Sequence, residues 1–443
     1  MEFSEEFSIY SWQAPHSKEV KTNMLNRRSF LKQSALALVA GTTMPAVFPR
    51  GVAVAAGRGI LAPSPRRVLI IVQLKGGNDG LNTIVPHTDG TYYDLRGELA
   101  LTPDQLIPLN DELGFHPNLS AIAPLWDSGD LAIVQGTGYP YPSYSHFVAM
   151  NYWEQSRTPD GGKGLIGSGG GWLGKYLEQL DPATIGAVPA MNIGSKLAPE
   201  LASRKVPIST VRSLNNYQLQ KDNRYRAISE TRLDTLHALY KTPNSNPGMD
   251  QLFGGAFQAA LDGSIAVQEA HAAYTPAVTY PDTNLAEDLL LLAESIHFNQ
   301  DLKVGHVAIG GFDTHANQLA EHGALLLEFS EAVAAFWADI AAHGHQDEVV
   351  IMTWSEFGRR PDSNASGGTD HGSAGPIFLF GNQVIGGRYG EPASLTDLDK
   401  KNLKFTTDFR SVYATVLEKW LGAPAADILH GRFEPIPLIA TNT

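Results

Sequence analysis

The sequence of 443 residues contains no cysteine. That absence excludes disulfide bonds and thiolate metal ligands. A metal site in this chain would therefore use histidine nitrogen and the oxygen of aspartate, glutamate, asparagine or serine. Positive charge is also scarce, with 33 lysines and arginines against 46 aspartates and glutamates and a formal net charge of −13. An acidic surface argues against nucleic acid and against anionic lipid as partners.

Long apolar runs are missing near the N-terminus, where the run Leu36-Ala-Leu-Val-Ala-Gly41 is too short to span a bilayer. This run follows Asn26-Arg-Arg-Ser-Phe-Leu-Lys32, which resembles the twin-arginine export motif. Small residues suited to cleavage come next, at Ala53-Val-Ala55. We therefore predict that residues 1–56 are an N-terminal extension and signal peptide and that the twin-arginine export machinery is a partner. The mature form would have no transmembrane segment and would be periplasmic or secreted from a bacterium.

Apolar, β-branched runs alternate with helix-like patterns along the rest of the chain. The predicted strands are Arg67–Leu74, Leu131–Val134, Val304–Ile309, Val349–Thr353 and a run beginning Pro376–Phe380. The predicted helices are Asn118–Asp127, Leu285–Leu302 capped by Thr283 or Asn284, Leu319–His343 and Asp408–Leu421. Residues 156–175 are rich in glycine and are predicted to form a surface loop. The alternation indicates an α/β fold, and we assign residues 66–440 to one domain.

Polar side chains follow the predicted strands, in each case close to glycine. In chain order these are Asp79, Ser145, His146, Asp313, His315, Glu356, Asp370 and His371. A parallel sheet brings the carboxyl ends of its strands to one edge, so these side chains are expected to converge. Gathered carboxylates repel one another unless a cation compensates them. Oxygen and nitrogen ligands without cysteine suit one or two Zn²⁺, Mn²⁺, Mg²⁺ or Ca²⁺ ions.

Three of these residues have simpler interpretations that the sequence leaves open. Asp79 is equally suited to capping a helix or forming a turn. Ser145 is placed near a helix N-terminus, where a hydroxyl serves either as an N-cap or as a nucleophile beside the positive end of the helix dipole. His146 could be a ligand, an acid for the leaving group, or a packing residue.

The sequence resembles a bacterial family of exported proteins known as domain of unknown function 1501. The matching motifs are Gly76-Gly-Asn-Asp-Gly-Leu-Asn-Thr-Ile-Val-Pro86, Ser145-His-Phe147, Tyr152-Trp-Glu154, Phe312-Asp-Thr-His315, Ser355-Glu-Phe-Gly-Arg359, Gly368-Thr-Asp-His-Gly372 and Thr406-Thr-Asp-Phe-Arg410. That family looks like a distant branch of the alkaline phosphatase–sulfatase superfamily. The resemblance implies an alkaline phosphatase-like fold, in which helices sandwich a mostly parallel central sheet. It also implies one or two divalent metals and a hydroxyl nucleophile at a helix N-terminus.

The resemblance also assigns roles to individual residues. It makes Ser145 the nucleophile, with Ser143 as the fallback. Apart from the resemblance, we predict His146 and Arg359 as further catalytic residues, with Arg359 helping to bind the anion. The resemblance makes the following residues metal ligands: Asp79, Asp313, His315, Glu356, Asp370 and His371. The sequence departs from the superfamily pattern at Phe357, where a histidine ligand is expected. One of two metals would then be lost or bound differently.

Three functions are compatible with these patterns. The first is an exported metal-dependent hydrolase of phosphate or sulfate esters. Its substrates would be anionic esters, and esters linked to a glycan belong to this class. The second is a metal-free serine esterase that uses Ser145, His371 and Asp370. It is disfavoured because adjacent residues do not easily hydrogen-bond as an Asp–His pair. The third is an exported binding or assembly protein that keeps the fold without the chemistry.

Overall fold

The computed structural model describes residues 66–159, 170–181, 185, 188–206, 208–212, 235 and 271–440. The predicted signal peptide at residues 1–56 lies outside the described residues, so the export prediction stays a prediction. In the described part of the chain, no helix has the combined length and hydropathy needed to cross a membrane.

The strands, numbered along the described part of the chain, are β1 Val68–Leu74, β2 Ile84–Val85, β3 Ile107–Pro108, β4 Gly114–Phe115, β5 Leu131–Gly138, β6 Ala190–Ile193, β7 Ser209–Val211, β8 Val304–Ile309, β9 Val349–Trp354, β10 Arg359–Ser363, β11 Thr369–His371, β12 Gly375–Phe380, β13 Gly387–Tyr389, β14 Leu398–Asp399, β15 Asn402–Leu403 and β16 Thr407–Asp408. The α-helices are α1 Gly80–Thr83, α2 Gly90–Arg96, α3 Ala123–Asp127, α4 His146–Gln155, α5 Trp172–Gln179, α6 Asn284–Phe298, α7 Gln318–Ala342, α8 Phe409–Thr415 and α9 Ala425–Leu429.

Nine strands form the central sheet, in the order β13-β5-β12-β9-β1-β8-β6-β7, with β16 also paired to β5. Strand β1 lies parallel to both β8 and β9, with Leu69 opposite Val304 and Val68 opposite Val349. Among the described strands of this sheet, only β12 runs antiparallel to its neighbours, which are β5 and β9. The carboxyl ends of β1, β5, β8 and β9 therefore share one edge, and β12 begins at that edge. The predicted α/β fold with a mostly parallel sheet is confirmed.

Apolar side chains cover both faces of the sheet, which is why its central strands are continuous apolar runs. On β1, every residue from Val68 to Leu74 is buried, so buried and exposed positions do not alternate. One face packs against α6 and α7, whose buried residues include Phe329. The other face packs against α4, α5 and α8, where Trp153 and Tyr413 are buried. Each fully buried side chain of this kind contributes roughly 1.5–3 kcal/mol to stability.

Two predicted helices have the expected positions. Helix α6 begins after Thr283, whose hydroxyl accepts a hydrogen bond from the Ala286 N–H, and it ends four residues before the predicted end. Helix α7 matches its predicted bounds to within a residue at each end. In both, a buried apolar stripe faces the sheet, as the helical spacing of leucine and phenylalanine indicates.

One local prediction is wrong, and two others hold only in part. The predicted helix over 118–127 is a 3₁₀ turn, Pro117–Leu119, followed by the short α3, which has a proline in its first turn. The predicted helix over 408–421 changes from α8 into a π-helical turn, Val416–Trp420. Of the predicted loop over 156–175, residues 160–169 lie outside the described residues, and residues 172–175 are helical because α5 begins at Trp172, whose ring is buried. The glycine at 171 is required by packing, since a Cβ there would lie 2.0 Å from the Glu200 carbonyl oxygen.

Candidate metal centre

Three histidines and an aspartate meet at the carboxyl edge of the sheet. Asp313 and His315 follow β8, His146 is the first residue of α4 after β5, and His371 ends β11 just before β12. They come from separate segments that meet at this edge, as the parallel topology requires. We call His146, His315 and His371, arranged around Asp313, the imidazole cluster.

All three imidazoles of this cluster direct Nε2 towards the Asp313 carboxylate. The distances from Asp313 oxygens are 3.3 Å to His146 Nε2, 3.1 Å to His315 Nε2 and 2.9 Å to His371 Nε2. The Nε2 atoms of His315 and His371 are themselves 2.9 Å apart. The ligand atoms of His146, Asp313 and His371 all lie within 4.8 Å of one another. Four potential ligand atoms thus point into one small volume.

The opposite ring nitrogens fix the tautomers of two of these histidines. His371 Nδ1 lies 2.8 Å from the backbone carbonyl oxygen of Tyr144, which can only accept, so Nδ1 carries the proton. His146 Nδ1 lies 2.8 Å from Glu356 Oε1 and donates to that carboxylate. In the neutral rings, both Nε2 atoms are therefore unprotonated and face the anionic Asp313. Lone pairs directed at a carboxylate repel it unless a cation, either a proton or a metal ion, lies between them.

The charge state of Asp313 suits a ligand. Burial tends to raise the pKa of this carboxyl group, but a hydrogen bond from Arg359, one from His371 when both of its ring nitrogens are protonated, and the charge of Arg359 outweigh burial and hold the pKa at about 2. The carboxylate is 45% exposed, so it is anionic at neutral pH and accessible to an ion from solvent.

Arg359 does not reach outward to a substrate. It is buried, and its guanidinium donates to the carbonyl oxygens of Gly77, Thr369 and Phe312, at 2.8–2.9 Å. It also donates to Asp313 Oδ1 at 2.6 Å. Arg359 therefore joins the loops after β1 and β8 and orients Asp313, and its predicted role as an anion-binding group has no geometric support.

Two further predicted ligands lie behind the histidines. Glu356 is buried and accepts hydrogen bonds from His146 Nδ1 and from the Gly76 N–H at 2.9 Å. Asp370 Oδ1 lies 3.5 Å from His315 Nδ1. Carboxylates that hold the far nitrogen of a metal-binding histidine orient the ring and raise its basicity. Both carboxylates therefore lie where they orient histidine rings, and His146 presents its Nε2 among the candidate ligand atoms.

Asp79 lies outside the imidazole cluster. It is buried and accepts two hydrogen bonds from Arg96, at 2.6 and 2.7 Å, and another from Gln318. It also caps α1 by accepting from the Leu81 N–H. Burial tends to raise the pKa of Asp79, but Arg96 and His322 lower it below its ordinary value. The protein's own cation already compensates this carboxylate. The contact with the Leu81 N–H agrees with the capping alternative.

Ser145 occupies the N-cap position of α4, directly before His146, and its hydroxyl makes no capping hydrogen bond. Its side chain is exposed. Ser143 serves the turn instead, since its hydroxyl accepts from the Ser145 N–H at 3.3 Å. Ser145 is therefore an exposed serine next to His146 in the chain, and its hydroxyl does not cap the helix.

Phe357, which stands at an expected histidine position, forms an apolar wall of the cluster. Its ring centroid lies 4.9 Å from that of His146 and 4.7 Å from that of His371. A Cβ at Gly77 would lie 2.5 Å from the Phe357 ring, so the glycine is needed for this packing. Phe357 contributes no ligand atom. It holds the imidazole rings of His146 and His371 in place by ring contact.

A family model described as "Protein of unknown function (DUF1501)" matches residues 66–421. No curated protein matches the sequence. Solved structures with similarity to the chain include the PsFucS1 sulfatase from Pseudoalteromonas sp., at 12% identity and a TM-score of 0.39, covering 85% of this chain and 72% of that one. A protein in the alkaline phosphatase superfamily from Vibrio parahaemolyticus has 9% identity and a TM-score of 0.33, covering 81% and 71%.

The C-terminal periplasmic domain of EcEptC from Escherichia coli, solved as a complex with Zn, is also similar. It has 11% identity and a TM-score of 0.32, covering 72% of this chain and 74% of that one. The chemistry of the site rests on the residues of this chain alone.

Proposed function

The chain belongs to the family described as Protein of unknown function (DUF1501), and we propose that it is a metal-dependent hydrolase of phosphate or sulfate esters. The observation that carries the proposal is the shared direction of the three Nε2 atoms towards Asp313, with Nδ1 of His146 and His371 held as a donor. Histidine and carboxylate ligands held from behind in this way are typical of Zn²⁺ and other transition-metal sites.

The donor set fits a single divalent cation. His146, Asp313 and His371 would hold it, with His315 as a fourth ligand close by. When bound, such a cation supplies positive charge that stabilises the anionic oxygens of the ester and of the departing group. Three imidazoles surround one carboxylate, and no second group of three ligands occurs among the described residues, so the proposal uses one ion of the one or two predicted.

The residues of the chain would supply the remaining chemistry. The Ser145 hydroxyl would form a bond to phosphorus or sulfur while the bond to the leaving alcohol oxygen breaks, and water would then cleave the seryl ester. The N-terminus of α4 would direct backbone N–H groups and the positive end of its dipole at the anion. Arg359 would hold Asp313 in place. The substrate would be an anionic ester, and esters linked to a glycan belong to this class.

The metal-free serine esterase has no support in the geometry. His371 donates from Nδ1 to a backbone carbonyl, and Asp370 lies beside His315. A triad of Ser145, His371 and Asp370 requires an Asp–His hydrogen bond that orients the base. The described contacts instead use both nitrogens of His371 elsewhere.

The test is metal analysis of the purified protein combined with hydrolysis of p-nitrophenyl phosphate and p-nitrophenyl sulfate. We expect one bound divalent ion per chain and hydrolysis of at least one ester that a chelator abolishes. Ser145→Ala should lose turnover and retain the metal, whereas the control Ser143→Ala should retain both. A protein that carries no metal, or hydrolysis that persists in the chelator, would overturn the proposal. Retained metal without hydrolysis would favour the non-catalytic binding protein.

A further inference from the structure

Exposed aromatic side chains are concentrated in the segment that leads into the metal centre. Seven large hydrophobic side chains in the described part of the chain are classed as exposed, and three of them lie within residues 141–147. They are Tyr141, Tyr144 and Phe147, which are 67%, 36% and 85% exposed. We call these three residues the aromatic rim. Exposed aromatics gathered at one place mark binding surfaces, whereas single exposed apolar residues are ordinary.

The backbone of the rim is strained at Tyr141. This residue has a φ of 57°, in the left-handed region that bulky side chains rarely adopt. Pro140 and Pro142 flank it, and the Ser143 N–H donates to the Tyr139 hydroxyl at 3.2 Å to hold the turn. Such strain costs on the order of 1–3 kcal/mol and clusters at ligand-binding sites. The chain thus holds an aromatic ring in solvent at a conformational cost that packing does not explain.

The rim is attached directly to the imidazole cluster. The backbone carbonyl of Tyr144 accepts the hydrogen bond from His371 Nδ1 at 2.8 Å. Phe147 follows His146 in the first turn of α4. Side chains in a helix tilt towards its N-terminus, which here is the end that carries Ser145. The rim residues therefore directly precede and follow Ser145 and His146, so the alcohol part of an ester held at Ser145 would lie next to this segment.

We propose that the aromatic rim binds the alcohol part of the ester and selects alcohols that present a six-membered ring, either the planar face of an aryl group or the C–H face of a pyranosyl chair. This inference rests on the proposed function, because it places the anionic group at the metal centre and the ring on the rim. Aromatic side chains stack on such rings with preferred geometry and little loss of side-chain freedom. A small alkyl group would leave the rim in water.

Non-hydrolysable phosphonates separate ring binding from turnover. Isothermal titration of the metal-loaded protein would compare methylphosphonate, phenylphosphonate and glucosylmethylphosphonate. We expect methylphosphonate to bind weakly and at least one ring-bearing phosphonate to bind about tenfold more tightly or better, as expected for one or two stacked rings. The phenyl and glucosyl compounds decide whether the ring is aryl or pyranosyl.

Substitutions then test which residues produce the preference. Phe147→Ala should reduce it about three- to tenfold, since one stacked ring is lost, while the affinity for methylphosphonate should not change. Its side chain is exposed, so folding should be unaffected. Ile385→Ala is the matched control: Ile385 is 46% exposed and lies near Gly129, before β5 and thus at the opposite edge of the sheet. It should change neither affinity.

The outcomes distinguish this inference from the proposed function. Equal affinity for methylphosphonate and both ring-bearing compounds would overturn the role of the rim and leave the anion site standing. A ring preference that survives in Phe147→Ala and in Tyr141→Ala would also overturn it. If none of the three phosphonates binds, the proposed ester site itself fails, and the inference fails with it.

Discussion

Asp79 and Asp313 follow the ends of neighbouring parallel strands, β1 and β8, and each comes shortly after two glycines. Their surroundings nevertheless differ completely. Asp79 is buried and is held by both terminal nitrogens of Arg96. Asp313 is 45% exposed and is surrounded by three imidazoles. One aspartate therefore contributes to the fold, and the other is available to an ion from solvent.

The difference lies in the element that reaches each carboxylate. Helix α2 brings Arg96 to Asp79, and the start of α7 adds Gln318. At Asp313, the available arginine is Arg359, which is largely engaged with backbone carbonyl groups. A carboxylate at a strand end is thus available to a metal ion only where the chain leaves part of its charge uncompensated.

The largest expected effect is on stability, at the buried pair. Arg96→Met removes the cation and leaves Asp79 buried without its partner, which costs about 3–5 kcal/mol in the free energy of unfolding. Urea denaturation of the metal-free protein measures this loss. The control Lys404→Met breaks an exposed pair with Asp397 and should cost about 0–1 kcal/mol. Similar losses in the two variants would contradict the comparison.

At the imidazole cluster, the expected effect is on metal affinity. Asp313→Asn removes the anionic ligand on which three histidines converge, so we expect metal affinity to fall by a factor on the order of a hundred or more. Inductively coupled plasma mass spectrometry after dialysis, with circular dichroism for the fold, checks this. Arg96→Met should instead lose stability and keep a normal metal content when it is measured at a temperature where the variant is folded. Unchanged metal content in Asp313→Asn would remove Asp313 from the ligand set.

A smaller effect on metal affinity is expected at the carboxylates that contact the histidines from behind. Glu356→Gln replaces the carboxylate that holds His146 Nδ1 and should reduce metal affinity about 10- to 100-fold. Asp370→Asn is the graded comparison, since Asp370 is half exposed and lies 3.5 Å from His315 Nδ1. Its substitution should cost less than that of Glu356. Competition titration with a chromophoric chelator measures both, and the reverse order would refute the assignment of Glu356.

The smallest expected effect is a change in pH dependence. The folded-state pKa of Asp79 is lowered below its ordinary value, so its stabilisation is present above about pH 4 and is lost as the pH falls through the lowered pKa. The free energy of unfolding of the metal-free protein should therefore decrease below about pH 4. Arg96→Met should lose the contribution of Asp79 to this slope and keep that of Asp313, because burial alone raises the pKa of an unpaired carboxyl group. Identical slopes in the two proteins would contradict the role of the pair.

The sequence predicts the fold better than it predicts the site. Continuous apolar runs such as Val349–Thr353 indicate strands buried on both faces, and that pattern depends only on local side chains. The same patterns place Asp313, His315 and His371 at one edge, where the structure also has them. Which side chains face the candidate metal position and which lie behind them depends on backbone turns, such as those at Gly76 and Gly77 with φ values of 123° and 86°. The spacing of residues in the sequence does not determine these turns.

Long-range contacts explain the remaining differences. Arg96 lies 17 residues from Asp79, and no motif links the two. His146 is a ligand candidate because Glu356, 210 residues away, holds its Nδ1 and turns Nε2 inward. Arg359 belongs to a motif that suggests anion binding, yet burial commits it to backbone carbonyls. Each of these assignments depends on tertiary packing and thus requires the structure.

The most direct test of the metal centre is a crystal structure of the purified protein with anomalous scattering recorded at the absorption edge of its bound metal. We predict an anomalous peak about 2.0–2.2 Å from His146 Nε2, His371 Nε2 and an oxygen of Asp313, and none at Asp79. A metal-bearing protein whose peak lies elsewhere, or a fully reconstituted protein with no peak among these atoms, would contradict the account.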